Sequence, residues 1–203
     1  MSACFIFGAG PFYGLQTPPE AEDLIIAADG GYLHCQAANL TPHLLLGDFD
    51  SLETLPQDIR IQTFPQEKDD TDTMLAIKSG LALGYRQFHL YGGTGGRMDH
   101  TLANIQALGW LAQQGAQGFL YDEGFVFTAI QNRALTLPPR KEGIFSVFCL
   151  GPEAKGVTIQ GGQYPTDRIS LFPVVPLGVS NHFQGNPVSI SVEDGCLLVG
   201  WER

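Results

Sequence analysis

Basic side chains are scarce in this chain of 203 residues: 4 Lys and 7 Arg stand against 21 acidic groups, a formal charge of −10. They are scattered singly, without the basic stripe that grips duplex DNA or an anionic membrane, so no nucleic-acid or membrane-surface partner is expected. Cysteine is also sparse. Cys4, Cys35, Cys149 and Cys196 form no closely spaced pair, which excludes a zinc or dithiol motif and a disulfide framework and leaves core packing as their role. No apolar run approaches the ~20 residues of a membrane span. The segment from Met1 to Gly8 lacks the basic and apolar stretches of a secretory signal, so the expected location is cytoplasmic. Internal repeats and low-complexity tracts are absent.

What is present describes a globular chain: 44% of residues are apolar, enough at this length for one large or two small cores. The charge is unevenly spread. Residues 1–100 carry 13 acids and 5 bases, residues 101–203 carry 8 and 6, so whatever uses acidity lies mainly in the first half.

Apolar runs at Ala3–Phe7, Leu24–Ala28, His43–Leu46 and Gln87–Tyr91 read as strands, each stopped by Gly or Asp. Between them Tyr32–Asn39 is helix-compatible with Leu33, Ala37 and Leu40 on one face. Thr71 or Asp70 is placed to cap a helix carrying Leu75, Ala76, Ser79 and Leu83, and Thr101–Gln113 is a further helix. Alternating strands and helices predict an α/β domain with a mostly parallel sheet. Beyond Gly124 the texture changes to short strand-like runs: Phe125–Ile130, Ala134–Leu137, Ile144–Leu150, Val157–Gln160, Ile169–Phe172, Pro187–Val192 and Cys196–Trp201. Even spacing and turn residues between them predict a smaller all-β sandwich. The expected division is 1–124 for the α/β domain and 125–203 for the β-sandwich.

Seven of twelve aspartates fall in four clusters that follow strands or open helices: Asp29; Asp48 and Asp50; Asp69, Asp70 and Asp72; Asp99. In an open parallel sheet the carboxyl ends of the strands share one edge, where ligands bind. Asp is also common in turns and helix caps, and each one singly fits that role. Gathered together, they would repel one another unless a cation neutralised them. Mg²⁺ suits such oxygen donors and bridges to phosphate, which a chain of this charge needs in order to hold a polyphosphate. In the Gly92-Gly-Thr-Gly-Gly-Arg97 turn, backbone N–H groups can face a phosphate, with Arg97 beside them; a plain strand–helix turn is the other reading. It is no P-loop, and Gly8-Ala-Gly10 fails the dinucleotide fingerprint because position 13 is Tyr. Lys68 fits a surface pair or a phosphate contact. His100 suits positioning better than general-base work. His34, His43, His89 and His182 have no ligand spacing and read as structural.

Four motifs together resemble the thiamin pyrophosphokinase family: Asp29-Gly-Gly, Gly47-Asp-Phe-Asp-Ser51, Lys68-Asp-x-Thr-Asp72 and Gly95-Gly-Arg-x-Asp-His100 with Asn104 one turn on. In the second half, Gly161-Gly-Gln-Tyr-Pro165 is similar to the family's Gly-x-x-aromatic segment and Gly178-Val-Ser-Asn181 to its Ser-Asn segment. The resemblance implies transfer of the terminal pyrophosphoryl group of ATP to the thiamin hydroxyl, giving thiamin diphosphate and AMP. It implies an α/β catalytic domain followed by a β-sandwich. It further implies a homodimer whose active site lies at the subunit interface, where the β domain of one subunit meets the catalytic domain of the other.

By the same resemblance, Asp48, Asp50 and Asp72 would hold Mg²⁺. Asp29, Gly30, Lys68, Thr71, Gly95, Gly96, Arg97, Asp99, His100 and Asn104 would surround ATP or the reacting hydroxyl, with Lys68, Arg97, Asp72 and Asp99 serving the chemistry. Tyr164, Ser180 and Asn181 would meet thiamin. Some family members carry Trp where this chain has Tyr164, which still stacks on a cationic ring; a core-packing role for Tyr164 is the other reading. A pyrophosphokinase acting on another heterocyclic alcohol, a non-catalytic nucleotide- or thiamin-binding regulator, and an ATP kinase making thiamin monophosphate are the alternatives.

Overall fold

The computed structural model describes residues 2–47, 59–64 and 69–203. The chain divides into two compact units, one of residues 1–107 with 118–123 and the other of 108–117 with 124–203.

The first unit is built on β1 (Cys4–Phe7), β2 (Leu24–Ala28), β3 (Leu44–Gly47), β4 (Arg60–Thr63), β5 (Gln87–Tyr91) and β6 (Gln117–Tyr121), with helices α1 (Gly31–Ala37), α2 (Asp72–Ala82) and the start of α3 (Met98–Gln113). Strand order is β6-β5-β1-β2-β3-β4, and the β1–β2, β1–β5, β2–β3 and β3–β4 pairs are all parallel. β1, with Phe5, Ile6 and Phe7 at most 1% exposed, is central, which is why it reads as an unbroken apolar run. The chain lays β2, β3 and β4 on one side of β1 and then returns to place β5 on the other. The loops after β1 and β5 therefore diverge at the point where strand order reverses, the site of ligand crevices in open α/β sheets.

The second unit holds β7 (Phe125–Gln131), β8 (Ala134–Leu137), β9 (Ile144–Cys149), β10 (Ala154–Gln160), β11 (Thr166–Leu171), β12 (Gly178–His182), β13 (Val188–Ser191) and β14 (Cys196–Glu202). They form two antiparallel layers, β12-β9-β14-β7 and β11-β10-β13-β8. Phe145, Val147, Leu197 and Val199 from one layer meet Val157, Ile159, Val188 and Ile190 from the other in a shared core. An α/β unit followed by a β-sandwich is the expected fold class.

Several local expectations are corrected. β4, β6 and β12 are strands that the apolar pattern did not mark. β4 (Arg-Ile-Gln-Thr) and β12 (Gly-Val-Ser-Asn-His) lie at sheet edges, where polar residues are tolerated; β6 carries a Gly that weakens the strand signal. α1 buries Gly31 and Cys35, while Leu33 is exposed. Any Cβ at position 31 would stand 1.9 Å from the Phe7 carbonyl oxygen, so the helix approaches β1 more closely than a side chain permits. α2 likewise buries Ala76, Ile77 and Gly80 and leaves Leu83 exposed, because Phe88 and Cys4 pack directly over Gly80. α3 starts at Met98, three residues earlier than expected, which puts Asp99 and His100 in its first turn.

Candidate active site

Two hollows lie at the carboxyl edge of the parallel sheet. One, of about 430 Å³, runs from Gly10 and Pro11 after β1 to Gly92, Gly93 and Thr94 after β5, and continues over Arg97, His100 and Asn104 on α3. The other, of about 290 Å³, is lined by Asp29 after β2 and by Asp69, Asp70, Thr71 and Asp72 at the start of α2. Asp29, Ala9, Thr73 and His100 line both. Aspartates from two separate clusters, Asp29 and the group Asp69, Asp70 and Asp72, thus come to one edge, together with the N-terminal turns of α2 and α3, whose positive ends favour an anion.

The glycine loops are tied to each other. Gly8 N–H donates to the Tyr91 carbonyl at 2.8 Å and Gly10 N–H to the Gly92 carbonyl at 2.9 Å. At Gly92 (φ 65°) a Cβ would be 2.3 Å from the Gly8 carbonyl oxygen, so glycine is required for the two loops to meet. Asn104 is buried and its Nδ2 donates to the Gly93 carbonyl at 2.8 Å, while Thr94 Oγ1 donates to Asp122 Oδ1 at 2.6 Å. His34 Nε2 donates to the Gly10 carbonyl at 2.7 Å, and Phe12 stacks on the His34 ring. A buried amide, a hydroxyl and an imidazole therefore hold the loops that line the larger hollow.

Asp29 has φ 51°, the left-handed region that non-glycine residues rarely adopt, and its N–H donates to the Leu46 carbonyl. Such strain persists where the surroundings over-determine it, commonly at ligand sites. Thr71 caps α2 by accepting from Met74 N–H at 3.2 Å, with Asp72 in the first helical turn. Asp70 accepts from Lys78 at 2.5 Å. Arg97 forms a two-point pair with Asp99, Nε to Oδ1 at 3.1 Å and Nη2 to Oδ2 at 2.6 Å. This pairing holds the Asp99 carboxyl below the usual range. Asp99 Oδ1 also accepts from His100 N–H. Gly30, Gly95 and Asp99 line neither hollow. Gly95 (φ 76°) lies beneath the Tyr13 hydroxyl.

Lys68, Asp48 and Asp50 lie outside the described residues. Among the described residues no three His, Cys, Asp or Glu side chains stand together at metal-binding range. The smaller hollow nevertheless offers only oxygen donors from its acidic side chains, the donor type a hard cation takes.

In the second unit, an apolar groove of about 310 Å³ is lined by Tyr164, Ile169, Leu171, Leu177, Val179 and Asn181 among others. Tyr164 is 58% exposed, which is not core packing. Asn181 is buried and grips the backbone of Tyr164: Oδ1 accepts from Tyr164 N–H at 3.0 Å and Nδ2 donates to its carbonyl at 2.8 Å. Ser180, exposed, has φ 59°.

Sequence reading singled out most of these side chains but not Thr73, Thr94 or Tyr13, nor the apolar residues of the groove. The segment Gly8-Ala-Gly10, which fails a dinucleotide pattern, lines the hollows: Ala9 and Gly10 the larger, Gly8 and Ala9 the smaller. Its signal was the pair of glycines directly after the central strand. The roles of Asn104 and His34 had no local signal, because each acts on a loop distant in sequence.

Comparisons with known proteins agree in both halves. Residues 16–120 match the model of the thiamin pyrophosphokinase catalytic domain, and residues 134–197 that of the thiamin pyrophosphokinase vitamin B1 binding domain. A thiamine pyrophosphokinase of Bacillus subtilis (strain 168) is 27% identical over 191 residues, covering 87% of this chain and 86% of that protein. The crystal structure of thiamine pyrophosphokinase from Bacillus subtilis superposes with a TM-score of 0.90 at 23% identity, covering 99% of each chain. That of thiamin pyrophosphokinase from Candida albicans gives 0.74 at 14% identity, covering 98% of this chain and 89% of that one. With both family domains matched in order along the chain, it belongs to the thiamin pyrophosphokinase family.

Proposed function

We propose that the acidic hollow and the glycine-loop hollow beside it take the phosphates and the remainder of ATP, and that the groove at Tyr164 takes thiamin. As a member of its family the chain transfers the pyrophosphoryl group of ATP to the thiamin hydroxyl, giving thiamin diphosphate and AMP. The observation that carries the site assignment is the meeting of Asp29, Asp69, Asp70 and Asp72 with the first turns of α2 and α3 at one sheet edge.

Mg²⁺ belongs to this reading, with Asp72 and, outside the described residues, Asp48 and Asp50 as its carboxylates. When bound, the ion would supply positive charge that offsets the charge of the phosphates. The chain's own groups do the rest. The thiamin hydroxyl oxygen attacks the β-phosphorus in line, the bond from that phosphorus to the α,β-bridging oxygen breaks, and the electron pair leaves with AMP. Such a transfer asks mainly for alignment and charge stabilisation. Backbone N–H groups of the Gly92–Gly96 turn and the α3 N-terminus face the phosphates. Arg97, which lines the larger hollow, and Lys68, outside the described residues, complete the clamp. The hydroxyl proton goes late to a carboxylate of this edge, Asp72 or Asp99.

Tyr164 offers an aromatic face to a cationic thiazolium or a pyrimidine ring; Asn181 lines the same groove, and Ser180, between the lining residues Val179 and Asn181, stands beside it. We further propose a homodimer with the active site at the subunit interface. The run Phe172, Val174, Val175, Leu177 and Val179, exposed in the second unit, supports a covered surface there. Four free, buried cysteines suit a reducing compartment, and a cytoplasmic location is part of the proposal. Among the described residues no helix is long and apolar enough to cross a membrane.

Incubation with Mg²⁺, ATP and thiamin, followed by product separation, tests the reaction. AMP with thiamin diphosphate is the expected result; ADP with thiamin monophosphate, or no turnover, contradicts it.

A further inference from the structure

We infer that Ser146, on β9, is a positioning residue for the thiamin pocket, acting through the backbone of Ser180. This rests on the reading that Ser180 meets thiamin. β12 pairs with β9 through Gly178 opposite Val147 and Asn181 opposite Phe145. Two residues, Val179 and Ser180, therefore stand against Ser146 alone. This is a β-bulge, the device by which an edge strand re-aims a side chain beside a site.

Three features hold the bulge. At its first end β12 approaches β9 so closely that a Cβ on Gly178 would lie 2.3 Å from the Val147 carbonyl oxygen. At its second end Asn181 is buried with its amide on the Tyr164 backbone. In the middle, the Ser180 N–H has turned out of the ladder and donates to Ser146 Oγ at 3.1 Å. Ser146 is 7% exposed, and its hydroxyl replaces the backbone acceptor that the extra residue has displaced. Ser180 takes φ 59° to make this turn, a conformation for which glycine is the ordinary choice. Such conformations persist where the surroundings over-determine them, and they cluster at ligand sites. Without the Ser146 oxygen, a part-buried N–H loses its partner while the strained turn loses its anchor, and the chain can relax toward the regular register.

The test compares Ser146→Ala with Ser180→Ala and the parent chain. Removing one oxygen from a sandwich held by a large apolar core leaves the fold intact, checked by thermal melting. For Ser146→Ala the expected result is a KM for thiamin raised about five- to tenfold, with the KM for ATP within about twofold of the parent. Deuterium exchange at the Ser180 amide should quicken in the same variant, which reads the hydrogen bond directly. If Ser180→Ala raises the thiamin KM and Ser146→Ala changes neither that value nor the exchange, the inference is overturned while the pocket assignment stands. If Ser180→Ala itself leaves the thiamin KM unchanged, the assignment of Ser180 to thiamin fails, and the inference with it.

Discussion

Asn181 holds Tyr164 by both sides of its backbone, accepting from the N–H at 3.0 Å and donating to the carbonyl at 2.8 Å. Its Oδ1 accepts from His182 N–H as well. With three of its hydrogen-bonding positions on backbone, the side chain fixes the loop that presents the exposed Tyr164 ring. Asn181→Asp keeps the acceptor and loses the donor, setting a charge against the Tyr164 carbonyl. Steady-state kinetics should show the thiamin KM raised about tenfold or more, with the ATP KM little altered. An equal loss for both substrates would mean that the clamp serves general stability instead.

The pair Arg97–Asp99 is exposed on both sides, and exposed pairs contribute little to stability. Arg97 lines the larger hollow, which fits the proposed clamp on the phosphates. Arg97→Ala should leave the melting temperature within about 1 °C of the parent while lowering kcat/KM for ATP by about 100-fold. A variant that melts early but turns over normally would reverse that assignment.

Gly31 and Gly124 give a stability contrast. An alanine Cβ at position 31 would lie 1.9 Å from the Phe7 carbonyl oxygen, whereas nothing lies within 4 Å of one at position 124. Urea denaturation should show Gly31→Ala destabilised by at least about 2 kcal/mol, because helix α1 must move off β1. Gly124→Ala should stay within about 0.5 kcal/mol of the parent.

His89 is buried between Phe5 and Phe119, with Nδ1 on the Tyr121 hydroxyl at 2.7 Å and Nε2 against Gln87 Nε2 at 3.0 Å. The Gln87 amide donates to Nε2, so Nδ1 carries the proton of the neutral ring. Burial pushes the His89 pKa down to about 4, against an opposing pull from Asp23. Since the unfolded chain binds this proton near pH 6.5 and the folded chain does not, the stability is fully present above pH 6.5 and is lost as pH falls toward 4. The loss amounts to about 3 kcal/mol. His89→Gln should flatten the stability profile between pH 6.5 and 4.5 in denaturant titrations. An unchanged slope would show that other groups govern it.

The apolar runs made β1, β2 and β3 legible because buried parallel strands need no polar face. The clusters of aspartate at strand ends, read with parallel-sheet geometry, pointed to the edge where Asp29 and Asp72 now meet. Composition marked the change near Gly124 because edge-rich antiparallel layers need frequent turns. The edge strands β4 and β12 were hidden, since only buried strands carry an apolar signature. So was the inward face of α1, where close approach selects Gly31 and Cys35 over the larger Leu33. The clamps by Asn104, His34, Asn181 and Ser146 were hidden for another reason: each joins segments remote in sequence, and no local pattern encodes such a pairing. Asp29 and Ser180 could be named as site residues but not as strained ones, since backbone strain has no signature in residue type.

At the acidic sheet edge, Asp72 stands at the head of α2 and lines the smaller hollow. The most direct measurement is the turnover number of Asp72→Asn with saturating Mg²⁺, ATP and thiamin, on protein shown to be folded by circular dichroism. The change keeps the side chain's size, and the lost charge at the start of α2 costs only about 0.3–1 kcal/mol of stability. The expected kcat is at least about 100-fold lower in a folded protein. Turnover close to that of the parent would contradict the phosphate site at this edge.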